Sequence, residues 1–173
     1  LYPYPNLLPD AIHPNPEGAG ILARTVYSGI TGNYGGLQMS QLYTDYMVLQ
    51  RNVPLDIHGT ANAGDKVMVS IDRQTVTATA DNQGKWCAVL QPMEATDDLT
   101  LTVKAGRQTN VYRHVAVGEV WLCSGQSNMA FMLCQAESYK RDINNANDPQ
   151  LRLYDMKGRW ETYDVAWPAS CLD

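Results

Sequence analysis

The sequence predicts a chain of mixed class, α/β plus all-β, in which an antiparallel β-sandwich is flanked by two α/β portions. Three observations predict it. Apolar residues recur at every second position between about residues 40 and 117; an unbroken apolar run at 120–123 ends on a small polar cluster; and a helix with clear end signals precedes both. They divide the chain into residues 1–36, 37–117 and 118–173.

The composition supports folded domains. With 173 residues, 45% hydrophobic and 18% charged, the chain is long enough for one medium domain or two small ones. A formal net charge of −5 argues against nucleic acid or an anionic membrane as partner, since both reward clustered Lys and Arg. Apolar runs are only a few residues long, short of the ~20 needed to span a bilayer. The start, Leu1-Tyr2-Pro3, shows no signal-peptide zones and reads as a processed end or an internal piece. Cys87, Cys123, Cys134 and Cys171 have no Cys-x-x-Cys spacing and no His pairs, so no metal or other cofactor is expected. Cys87 and Cys123 read as buried thiols, and Cys134 and Cys171 are left as the pair open to oxidation.

In residues 1–36 the helix is signalled by Asn15 as N-cap, Pro16 at the first helical position, Glu17 in the first turn and Gly32 past the end. Ala19, Leu22, Ala23, Val26 and Ile30 form an apolar stripe that predicts packing against another element. Just before it, Asp10 and His13 stand three apart in Asp-Ala-Ile-His-Pro. That spacing lets a carboxylate orient an imidazole acting as general base, or simply makes turn and capping bonds.

In the middle region Val67, Val69 and Ile71, then Trp86, Ala88 and Leu90, then Leu99, Leu101 and Val103 alternate with polar residues. Turn clusters at 62–65, 72–74, 81–84 and 105–107 separate them, the pattern of an antiparallel sandwich. Gly59 and Gly64 read as turn glycines. His58 and His114 fall in or beside these strands without an acid at triad spacing, and read as structural.

From Gly118 the run Val120-Trp121-Leu122-Cys123 lacks alternation, as in a parallel strand covered on both faces. Leu151 to Met156 reads as a second strand, joined to it by a right-handed crossover. The first strand ends on Ser124-Gly125-Gln126-Ser127-Asn128, and ligands bind at the carboxyl ends of such strands. Ser127 there is a candidate nucleophile, with Gly125 allowing a tight turn and Gln126 and Asn128 offering oxyanion or substrate donors. The competing reading is a plain helix N-cap.

The segment Val117-Gly-Glu-Val-Trp-Leu-Cys-Ser-Gly-Gln-Ser-Asn-Met129 resembles the nucleophile segment of the sialate O-acetylesterase family. These are carbohydrate esterases with a flavodoxin-like hydrolase domain of the SGNH type. Residues 46–71 and 81–93 resemble the β-sandwich that precedes that domain, so the likeness runs from about residue 40 onward. It implies flavodoxin-like SGNH hydrolase portions around the sandwich, Ser127 as nucleophile, an acetylated carbohydrate as substrate, and acyl-serine chemistry without a metal. Family members take their catalytic His and acid from a late loop, yet no His follows Ser127 here. Residues 10–30 instead resemble the last loop and terminal helix of an SGNH hydrolase. Two readings follow: Asp10 and His13 end a different, upstream hydrolase in a tandem protein, which is favoured, or they are permuted partners of Ser127. The remainder of a longer parent, or another chain, is then an expected partner. The rival function is a carbohydrate-binding or structural sandwich flanked by esterase remnants.

Overall fold

The computed structural model describes residues 6–10, 12–127, 131, 135–142, 148–155 and 159–162. Helix α1 spans Pro16–Thr31 and is closed at both ends as its sequence predicts. The Asn15 side chain accepts from Gly18 N at 2.9 Å. Gly32 takes the left-handed conformation, φ 69°, and donates its N–H to Ser28 O. The apolar stripe is another matter: Leu22, Val26 and Ile30, with Tyr27 beside them, are exposed, so nothing among the described residues covers it.

The sandwich consists of two sheets. Strands β1 (Gln38–Met39), β3 (Leu55–Thr60) and β6 (Lys85–Leu90) form one, in the order β1-β3-β6. The other has the order β2-β8-β7-β4-β5, from β2 (Val48–Gln50), β4 (Lys66–Ile71), β5 (Gln74–Thr79), β7 (Thr96–Ala105) and β8 (Gln108–Gly118). The period-two residues meet between them: Val67, Val69, Ile71, Trp86, Ala88, Leu90, Leu101 and Val103 are buried, and Leu99 packs partly buried against them. Burying each large apolar side chain contributes roughly 1.5–3 kcal/mol, which makes this alternation the main support of the fold.

Three expectations need correction here. The sheet is mixed, because β2 runs parallel to β8. Gly59 lies inside β3, opposite Trp86 and Met39, where an added Cβ would collide with Gln38 O and the Trp86 ring; it is a close-approach glycine, while Gly64, φ 82°, is the turn glycine. Cys87 is exposed, because it alternates with the inward-facing Trp86 and Ala88.

Beyond Gly118 the reading departs further. Residues 119–125 form no strand, Trp121 and Leu122 are 81% and 95% exposed, and Cys123 is exposed. No neighbouring strand pairs with 120–123 among the described residues, so the run predicted to be buried lacks what would bury it. Helix α2 (Tyr139–Asp142) follows. Strand β9 (Arg152–Asp155) exists where the sequence predicts it, but it pairs antiparallel with β10 (Arg159–Thr162) rather than parallel with 120–123. Cys134 and Cys171 lie outside the described residues.

Candidate active site

Asp10 and His13 are brought together by a local turn. Asp10 Oδ1 accepts from Ile12 N at 3.0 Å and from His13 N at 2.6 Å, while Oδ2 meets His13 Nδ1 at 2.6 Å. An Asp side chain that bonds the backbone two and three residues on is what allows so short a spacing to form a dyad. These bonds, the His13 backbone N–H first and its ring second, hold the Asp10 carboxyl below the ordinary carboxylate range. Because an ionised carboxylate only accepts, Nδ1 carries the proton and the lone pair of a neutral ring sits on Nε2. Both side chains are well exposed, and Nε2 has no partner among the described residues.

The second group of candidates lies on residues 125–127, all exposed. Asn128 falls outside the described residues. The path toward Ser127 is set by the sandwich: Arg51 N donates to Gly118 O at 2.9 Å, Val120 N donates to Gln50 Oε1 at 2.9 Å, and Arg51 Nε meets Glu119 Oε1 at 2.6 Å. The Gln50 side-chain bond, then Arg51, lower the Glu119 carboxyl from its ordinary value.

These two groups attach at opposite ends of the sandwich. On the helix side, Ala63 N donates to Gly32 O at 2.9 Å and Leu37 N to Gln108 Oε1 at 2.7 Å, beside the β3–β4 and β7–β8 turns. On the other side the chain leaves from Gly118, the far end of the 11-residue β8. At roughly 3.3 Å per residue that separation is about 35 Å. Among the described residues no hydrogen bond or ion pair links Asp10 or His13 to Gly125, Gln126 or Ser127.

A second acid–imidazole pair escaped the sequence reading. His114 Nδ1 meets Asp98 Oδ1 at 2.7 Å, although 16 residues separate them. The β7–β8 register explains it. Leu101 faces Tyr112 and Leu99 faces Val115, so Arg113 and His114 together oppose Thr100; Thr96 faces Val117, so Asp97 and Asp98 together oppose Ala116. These are two β-bulges on facing strands, and His114 (φ 55°) and Asp98 (φ 56°) each take the left-handed conformation a bulge demands. Glycine usually fills such positions; here neither strand carries that signal. The His114 ring stacks on Tyr46 at 4.8 Å, and Arg152 reaches the same place. His58 meets the Tyr43 hydroxyl at 3.4 Å, in keeping with its structural reading. Among the described residues no group of three or more His, Cys, Asp or Glu is placed to hold a metal ion.

No family model matches the chain. It is 26% identical over 143 residues to the sialate O-acetylesterase of Rattus norvegicus, covering 76% of this chain and 26% of that protein. The sialate O-acetylesterase of Homo sapiens is 28% identical over 121 residues, covering 64% of this chain and 23% of that protein. Among solved structures, a carbohydrate acetylesterase from Xanthomonas citri superposes with a TM-score of 0.66 at 30% identity, over 73% of this chain and 32% of that one. The chain thus spans about a quarter of the length of the curated relatives it matches. On the residues it shares with these proteins, the chain is similar to sialate O-acetylesterases and to a carbohydrate acetylesterase.

Proposed function

We propose that this chain is part of a carbohydrate O-acetylesterase that removes acetyl groups from sugars with Ser127 as nucleophile. What carries the reading is the similarity to acetylesterases over about three quarters of the chain, beside the resemblance of residues 117–129 to that family's nucleophile segment. In such a reaction an imidazole takes the serine proton and the oxygen attacks the acetyl carbonyl. The sugar then leaves with that proton, and water hydrolyses the acetyl-serine. Backbone N–H groups beside Gly125 and the side chains of Gln126 and Asn128 are the proposed donors to the oxyanion or the sugar. The exposed apolar residues Val120, Trp121 and Leu122 fit a strand whose neighbours belong to the rest of a flavodoxin-like SGNH domain.

Asp10 and His13 are proposed as the catalytic pair of a different, upstream hydrolase that α1 closes. Three features support this: the Asp10–Nδ1 bond leaves Nε2 facing outward, the α1 stripe is uncovered, and the two groups attach at opposite ends of the sandwich. The domain boundaries proposed are therefore 1–36, 37–117 and 118–173. A fluorophosphonate probe followed by peptide mapping tests the assignment on the full-length parent. Labelling is expected at Ser127 and at a second, upstream serine. Ser127→Ala should abolish the first label alone, and His13→Ala should slow the second alone. If His13→Ala instead slows labelling of Ser127, the two groups form one permuted site and the tandem reading fails.

A further inference from the structure

Arg152 stands on β9, yet its guanidinium lies against the sandwich. Its Nη1 donates to Tyr46 O at 3.1 Å, to Met47 O at 3.4 Å and to His114 O, and its Cζ sits 5.9 Å from the centre of the Tyr46 ring. Two of the three acceptors belong to residues with left-handed backbone, Tyr46 (φ 66°) and His114 (φ 55°). Such conformations are uncommon for these residue types and collect where surrounding structure needs them. Asp98, the third left-handed residue here, fixes the His114 ring, which in turn stacks on Tyr46. Burial lowers the Arg152 pKa from its ordinary value, with Asp97 and Asp98 opposing that from a distance, and no carboxylate forms a direct ion pair with it among the described residues.

The three carbonyls converge on one guanidinium nitrogen while the Tyr46 ring lies against the rest of the group, a lining that suits a delocalised, weakly hydrated cation able to stack better than a strongly hydrated ammonium. The stretch that supplies Tyr46 and Met47 continues into Gln50 and Arg51, which grip Glu119 and Val120 ahead of Ser127. One six-residue stretch therefore holds the chain on both sides of residues 121–151.

We propose that the carbonyls of Tyr46, Met47 and His114, under the Tyr46 ring, form a guanidinium socket that docks the chain beyond Ser127 onto the sandwich. Arg152 is its internal occupant and a positioning residue for the Ser127 segment. The positioning half rests on the serine-esterase reading; the socket does not.

The test uses the full 173-residue chain and amide exchange in the β9–β10 ladder, with β4 and β7 as internal references. R152A should speed exchange in β9–β10 by about tenfold with the references unchanged. Methylguanidinium at about 20 mM should restore protection, and methylammonium at the same concentration should not. R152K, which keeps the charge but presents a shorter, strongly hydrated ammonium with no planar face for the Tyr46 ring, should resemble R152A. Unchanged exchange in R152A, rescue by methylammonium as effective as by methylguanidinium, absence of rescue, or wild-type protection in R152K each overturns the socket. If R152A also speeds exchange in β4 and β7, the R152K comparison decides. In the full-length parent, R152K should slow fluorophosphonate labelling of Ser127 about tenfold. Labelling unchanged by a substitution that frees β9–β10 overturns the positioning role, whereas a parent that never labels at Ser127 refutes the esterase reading and leaves the exchange result standing.

Discussion

Single residues in this chain differ in how far sequence betrays them. Asp10 and His13 were readable because the bonds that join them span two and three residues, so a local pattern contains the whole geometry. Asp98 and His114 were not, because their meeting depends on two bulges in the register of separate strands and on left-handed backbone at non-glycine residues. The depressed Asp10 pKa has a definite sign. Its turn bonds stabilise the folded form above the unfolded-state carboxyl value, and that contribution is lost as pH falls through the lower folded value. A carbon-13 titration of Asp10 should give a midpoint below that of a free aspartate, with the His13 amide shift following it; a midpoint at or above the free value contradicts the turn. Gly59 makes the opposite case, of crowding. Ala there must push Gln38 O or the Trp86 ring aside, so Gly59→Ala should lower stability by about 1–3 kcal/mol in a urea melt. Trp86 is buried with its Nε1 unpaired among the described residues. Trp86→Ala should therefore cost ~3–5 kcal/mol. Trp86→Phe should cost clearly less, since it removes an unsatisfied donor along with the lost area.

At the scale of elements, the long sandwich strands follow from alternation, whereas β1 and β2 are too short to carry a period. The parallel pairing of β2 with β8 is invisible locally because it joins residues 68 apart, such as Val48 and Ala116. The run at 120–123 shows the converse limit: an apolar strand sequence states what the segment needs around it, and the described residues do not supply it. Helix α1 was legible end to end because caps act within one turn. Its N-cap does more than cap, since Asn15 also donates from Nδ2 to Asn6 O at 2.8 Å and from its backbone to Leu7 O at 3.0 Å. Asn15→Ala should cost about 1 kcal/mol of helix stability, seen as reduced helical signal in circular dichroism. It should also loosen the turn that holds Asp10, so the His13 amide should exchange faster in the same variant.

Among the described residues one buried core forms, and the α1 stripe and residues 120–122 stay open as apolar surfaces. Exposed patches of this kind drive association in the absence of their proper cover. The isolated chain should therefore show concentration-dependent mass in light scattering, reduced by Leu22→Glu with Ile30→Glu and, independently, by Leu122→Glu. Mass that stays constant at the monomer value in the unsubstituted chain would remove this expectation.

Because the chain joins the sandwich beside Gly32 and leaves it beyond Gly118, whatever is attached at those two points is separated by a packed double sheet instead of a coil. A flexible linker of similar residue count would let the two attachments sample many separations, and their joint hold on one polymer would fall with that freedom. A stiff spacer instead fixes a pitch. In the tandem esterase proposed above, a glycan bearing acetyl groups at intervals near that pitch would, once bound at one site, present its next group to the other at high effective concentration. Spacing along the polymer, rather than affinity for any one sugar, would then be what such a spacer favours.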